Sequence, residues 1–295
     1  MDILNWVNSN TSSLAGKTVA VSGATGGIGQ ELCALLARLG AQLLLLDRNQ
    51  EKSAALEHTL TTRFPGLNIT RIPLDLADPD SVKRVSRILQ SKPPDVLILN
   101  AGIYQVPQYR CTTGLDNVFQ VNFASPYYLV RSLLPYLRSR GGKVVAVGSI
   151  AHTNAPTDHG DIDFSSRRKS SLVYGNSKRF LMYALYELFG EDSGLAVTHP
   201  GITLTNISAH HPPPVFKLIK GPMKVIFMPP QKACLSILRG VFEDCGKNEW
   251  IGPRYFDIWG LPKKRNLTSC PPEEAQWIFE TAEQIYRRMD TTSYR

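Results

Sequence analysis

Six short apolar runs, at 18–21, 42–46, 69–72, 95–99, 143–147 and 195–198, alternate with stretches of helical periodicity at 31–39, 53–63, 80–90, 117–138 and 173–189. The run at 42–46 is almost unbroken leucine. A strand that is apolar at every position has no face to give to water, so it belongs in a parallel sheet covered by helices on both sides. The alternation therefore predicts an α/β fold with a Rossmann-type, doubly wound parallel sheet. With 295 residues and no shift in composition, the whole chain, 1–295, reads as a single domain.

Directly after the first run comes Ser22-Gly23-Ala24-Thr25-Gly26-Gly27-Ile28-Gly29, and a helical pattern opens behind it. Glycines let the backbone turn tightly and approach an anion. The following helix N-terminus offers free N–H groups and the positive end of its dipole. Strand, glycine loop and helix in that order are the setting in which such a loop holds a pyrophosphate, so an NAD(P)-type cofactor is expected. Asp47 closes the second run. There a carboxylate would accept hydrogen bonds from the adenine ribose hydroxyls and repel a 2′-phosphate; alternatively it would cap the next helix. Arg48 beside it would lie over the adenine or soften that repulsion. NAD is the expected cofactor and NADP the alternative.

Other classes are disfavoured. The net charge of +8 is scattered, apart from the short Lys263-Lys264-Arg265 run, and no basic stripe is interleaved with aromatics. Nucleic acid is therefore not an expected partner. Cys33, Cys111, Cys234, Cys245 and Cys270 are odd in number and none is paired at CxxC spacing. Free thiols in a reducing, cytoplasmic compartment are the simple reading, without disulfides or a zinc site. His210-His211 lacks partner ligands at metal spacing, so no metal is expected. Residues 1–13 show no basic region followed by an apolar core, so neither a signal peptide nor a membrane span is expected there.

Two segments break the rhythm. Residues 151–171 are polar and irregular, and 203–230 are rich in proline and apolar side chains, among them Phe216, Ile219, Met223 and Phe227. Long irregular segments in a compact domain are usually functional loops or lids. We expect an insert and a lid over a substrate cleft. The lid's apolar residues favour a hydrophobic substrate, or else pack on the body. Lys217, Lys220 and Lys224 would aid a peripheral membrane contact, the less favoured reading. Assembly as a homo-oligomer is left open.

The Gly-x-x-x-Gly-x-Gly spacing of Gly23, Gly27 and Gly29 resembles the short-chain dehydrogenase/reductase family. Further matches follow in order: Asp75-Leu76, Asn100-Ala101-Gly102, Asn122, Ser149, Tyr174-Gly175-Asn176-Ser177-Lys178, and Pro200-Gly201 with Thr203 and Thr205 beyond. The likeness runs from about residue 14 to 205. His199-Pro200-Gly201, the Asp161-Ile162-Asp163-Phe164 insert and Tyr255-Phe256 look most like the retinol-dehydrogenase-like and WW-domain-oxidoreductase-like branch. So does the long interval between Ser149 and Tyr174. The resemblance implies a fold and a cofactor site made of the glycine loop with Ser22, Thr25 and Ile28, then Asp47, Arg48, Asp75, Leu76, Asn100, Ala101, Gly102, Tyr174, Lys178, Pro200, Gly201, Thr203 and Thr205. It also implies that Lys178 holds the nicotinamide ribose and that Asn122 anchors a proton-passing water. Two departures stand out: Ser22 replaces the usual threonine but keeps the hydroxyl, and Ser125 replaces a common glycine.

The chemistry is also readable from the residues. Tyr174 and Lys178, four apart on a helical stretch, share one face. A free tyrosine titrates near pH 10. A nearby ammonium should lower that value and make a usable acid–base pair for alcohol–carbonyl interconversion. Ser149, at a strand end, would hold the substrate oxygen, or would simply cap a helix. His152 lies near but is not required. The catalytic set expected is Asn122, Ser149, Tyr174 and Lys178, acting on a hydrophobic alcohol or carbonyl such as a retinoid, steroid or aliphatic carbonyl. A non-catalytic NAD(P)-binding regulatory or scaffold protein is the alternative. It should have lost a member of that set, and none is lost.

Overall fold

The leucine run explains itself once its side chains are followed. In β2 (Gln42–Asp47), Leu43 and Leu45 enter the core on one side of the sheet, and Leu44 and Leu46 the core on the other. The same alternation holds in β1 (Thr18–Ser22), β4 (Val96–Leu99) and β5 (Lys143–Val147). Successive strand residues point to opposite faces, so a strand buried on both has to be apolar throughout. The structure, a computed structural model, describes residues 2–154, 156–203 and 227–294.

With β3 (Ile69–Pro73), β6 (Leu195–Thr198), β7 (Glu249–Tyr255) and β8 (Trp259–Asn266), the strands form an eight-stranded sheet in the order β3-β2-β1-β4-β5-β6-β7-β8. All neighbours are parallel except β7 and β8, which pair antiparallel. The doubly wound parallel sheet is as expected, with one correction: its last strand is an antiparallel edge. That hairpin carries little apolar alternation, and β8 contains Lys263, Lys264 and Arg265, which suits a solvated edge strand.

The helices follow their local signals. α1 (Ile3–Asn10) precedes the first strand and buries Trp6 and Val7. α2 (Gly27–Arg38) buries Ile28, Leu32 and Leu36, one stripe at helical spacing. α3 (Gln50–Arg63) is capped by Asn49, whose side chain accepts the Lys52 N–H. α4 (Pro79–Ser91) starts at the Asp78 cap with proline in its first turn. The expected long helix at 117–138 is instead α5 (Asn117–Phe119), a π turn over Gln120–Ala124, and α6 (Ser125–Ser139). Hydrophobic periodicity does not register a single wide turn, which is why the sequence reading missed it. α7 (Ser170–Phe189) is almost wholly buried, and α8 (Pro230–Phe242) and α9 (Pro272–Thr291) complete the layers. Among the described residues no helix is long and apolar enough to cross a membrane.

Candidate active site

Strand order reverses between β1 and β4, and beyond their carboxyl ends lies a cavity of about 750 Å³. Ligands settle at such switch points because the loops from the two sheet halves diverge there. Of the described residues expected in the catalytic and cofactor sites, all but Ser22 and Asn122 line this cavity. Thr205, His210, His211 and most of the expected lid lie outside the described residues.

The glycine loop is dictated by close packing. Gly23 has φ +65°, and a Cβ on it would stand 2.8 Å from the Ala101 Cα; one on Gly29 would stand 2.3 Å from the Gly23 carbonyl oxygen. The Ser22 hydroxyl accepts the Asn100 and Ala101 N–H groups at 3.1 Å each. Asn100 Nδ2 in turn donates to the Gly23 carbonyl at 2.9 Å. Ser22 and Asn100 thus lock the loops after β1 and β4 together. Asp47 is buried, and its Oδ1 accepts the Thr25 N–H at 3.0 Å and the Thr25 hydroxyl at 2.9 Å. Burial raises its carboxyl above the usual value, against those hydrogen bonds. The helix-capping role weighed for Asp47 belongs to Asn49. Arg48, Asn49 and Lys52 all line the same end of the cavity; the last two went unnoticed because they lie inside a helix-start signal. Asp75 lines the cavity wall further along, its Oδ1 accepting the Ala77 N–H at 2.9 Å.

Ser149, Tyr174 and Lys178 line the same cavity. Of the two roles weighed for Ser149 the structure shows the cap, at the 3₁₀ turn Ile150–Thr153, and its side chain also hydrogen-bonds Tyr174. The tyrosine corrects one expectation. Burial pushes its hydroxyl up to about 12, the Ser149 bond opposes the rise, and Tyr104 adds to it. Lys178 is not among the groups that hold it down. Its Nζ sits 5.8 Å from the Tyr174 ring centre and donates to the Val147 carbonyl at 2.7 Å. Burial takes the lysine itself down to about 8. Desolvation penalises both charged forms, and it is the largest influence on each.

Asn122 lies within the π turn, fully buried. Its Oδ1 accepts the Ile103 N–H at 2.8 Å and its Nδ2 donates to the Ile103 carbonyl at 2.9 Å. Ser125, the unusual residue nearby, donates to the Leu76 carbonyl at 2.6 Å and accepts from Gln120 at 2.6 Å. Its hydroxyl therefore ties the π turn to the cavity wall. His152 is buried between the Ser149 carbonyl and the Ser269 hydroxyl, each at 2.7 Å. His199 lines the cavity and stacks on Trp250 at 5.1 Å, and among the described residues neither ring nitrogen has a partner at full hydrogen-bond geometry.

A family model described as short chain dehydrogenase matches residues 17–159. Human retinol dehydrogenase 14 is 31% identical, the alignment covering 82% of each chain. Human retinol dehydrogenase 13 is 28% identical over 89% of this chain and 82% of its own. Among solved structures, a putative uncharacterized protein from Mycobacterium paratuberculosis superposes with TM-score 0.74 at 25% identity, covering 96% of this chain and 97% of that one.

Proposed function

The chain belongs to the short-chain dehydrogenase/reductase family, in its retinol-dehydrogenase-like branch, and is an oxidoreductase acting on CH–OH groups; from that premise we propose that it interconverts a hydrophobic alcohol and its carbonyl with NAD(P), using Tyr174 and Lys178 as the acid–base pair. What supports this reading is that Tyr174, Ser149 and Lys178 line the same cavity as the glycine loop. The donor set suits a dinucleotide: loop and α2 N-terminus for the pyrophosphate, Asp47, Arg48 and Lys52 for the adenosine half, Lys178 for the far ribose. When bound, the nicotinamide supplies or takes the hydride.

The protein's own part is positioning and proton transfer. A tyrosine held near 12 is protonated at neutral pH, so its O–H is available to a substrate carbonyl oxygen. The Ser149 hydroxyl would hold that oxygen, and Lys178, with its value near 8, would exchange protons at neutral pH behind the tyrosine. In the opposite direction the alcohol proton returns to Tyr174. Asn122 fixes the backbone at Ile103 beside this group and is our candidate anchor for a proton-carrying water.

Ile103, Ile150, Ile202 and Phe227 line the same cavity as Tyr174, which favours an apolar substrate. The insert and the lid would roof it, and free, mostly buried thiols suit a reducing compartment. The test is a panel of retinoid, steroid and aliphatic alcohols and carbonyls, read by nicotinamide absorbance with each cofactor. Turnover that vanishes in Tyr174→Phe is expected. Bound cofactor without turnover of any member would favour the non-catalytic alternative.

A further inference from the structure

After β4 the chain does not leave the site directly. Residues 103–109 form a strap along the cavity, pinned at both ends. Asn122 grips Ile103 by its N–H (2.8 Å) and its carbonyl (2.9 Å). Asn117 grips the other end: its Nδ2 donates to the Pro107 carbonyl at 3.1 Å, its Oδ1 accepts the Tyr109 N–H at 3.2 Å, and its own N–H donates to the Tyr109 carbonyl at 3.0 Å. Both asparagines are buried. Between the pins Gln105 has φ +53°, left-handed backbone that a non-glycine residue rarely adopts. Such strain persists only where the surroundings over-determine it. Its effect is to present Tyr104, half-buried, to the cavity, with its ring centre 5.0 Å from that of Tyr174 and the planes tilted by 58°.

We propose that Tyr104 is a specificity-determining residue that favours aryl carbinols and aryl carbonyls, substrates with a flat ring attached directly to the reacting carbon. The proposal rests on the reading of Tyr174 as the acid. A carbonyl oxygen at the Tyr174 hydroxyl leaves its carbon and the first substituent beside Tyr104. A flat π-bonded substituent meets the ring in an offset or edge-to-face pair; a saturated ring of equal carbon count is thicker and lacks the quadrupole that makes such pairs favourable. Tyr104 belongs to none of the buried core clusters among the described residues, so no core requirement accounts for an aromatic there.

The test compares matched pairs. Benzaldehyde and cyclohexanecarbaldehyde serve for turnover. Benzamide and cyclohexanecarboxamide, which cannot be reduced at this site, serve for binding to the protein loaded with reduced cofactor, read by calorimetry. Wild type should bind the flat amide about three- to tenfold more tightly than the saturated one. Tyr104→Phe keeps the ring and should keep that ratio. Tyr104→Ala and the bulkier Tyr104→Leu should bring it to near unity, and the kcat/KM ratio of the aldehydes should fall in parallel. An unchanged ratio in the folded Leu or Ala variant, or no preference in wild type, would overturn the proposal. Absence of aldehyde turnover with the amide preference intact would instead remove the acid role of Tyr174 and leave Tyr104 as the selector.

Discussion

Tyr174 and Lys178 differ in what burial does to them, and that difference makes their roles separable. Tyr174→Phe removes only an oxygen. The expected loss is about 10²–10⁴-fold in kcat, with cofactor affinity retained; more than a tenth of the wild-type rate surviving would sink the assignment. Lys178 is charged below its value of about 8 and neutral above it. If its ammonium helps hold an anionic dinucleotide, affinity in the free protein should weaken as pH rises from 7 to 9. Lys178→Ala should bind less tightly and lose that pH dependence. A fluorescence titration at both pH values checks this, and an unchanged slope in the variant would exclude the lysine.

The loop after β1 and the end of β2 work as one element, because Asp47 holds Thr25 through both its backbone and its hydroxyl. A 2′-phosphate would meet this carboxylate, so NAD should be preferred; Arg48 and Lys52 are the opposing charges. Asp47→Asn keeps the shape and removes the charge, so the kcat/KM ratio of NAD to NADP should move toward NADP by about tenfold. A ratio that stays put would mean that the two cations set the choice. Much of this element was legible in advance: strand, glycine spacing and terminal acid are adjacent in sequence, and short-range order is what a sequence displays. The inward hydrogen bonds of Asp47 were not, since they depend on where Thr25 lies in space. The π turn escaped for a related reason, its side-chain period being broken over a single turn. Its use of Ser125 is testable too: Ser125→Ala should strand a buried Gln120 amide and the Leu76 carbonyl, costing about 1–3 kcal/mol in urea unfolding. A loss of under half a kcal/mol would mean those groups find other partners. The raised tyrosine was illegible for a third reason: the spacing of Lys178 could be read from the sequence, but not the burial that raises the hydroxyl.

Across the molecule, folding fixes the protonation of several buried groups, and their signs can be worked through. His199 is 3% exposed, and burial takes it down to about 3. His152 is lowered by burial as well. For a histidine whose folded value is depressed, the unfolded chain takes up a proton near pH 6.5 while the folded chain does not. Stability therefore falls as pH drops below 6.5 and continues to fall until the folded value is reached. Asp47, Asp116 and Asp257 are raised, so the folded state takes their protons first and their contribution runs the opposite way, nearer the carboxylate range. Asp95, Glu243 and Glu274 are lowered, and the stability they lend is lost progressively as pH falls from the ordinary carboxylate values to their folded ones. Between pH 7 and 5 the histidines should thus dominate, at about 2 kcal/mol for one fully shifted group. His199→Phe preserves the stack on Trp250 and cannot titrate. Its unfolding free energy, measured in urea at both pH values, should fall by about 2 kcal/mol less than that of wild type. Equal losses in the two proteins would show that His199 takes up its proton in the folded state, and hence that the cavity wall beside Gly148 and Lys178 admits water.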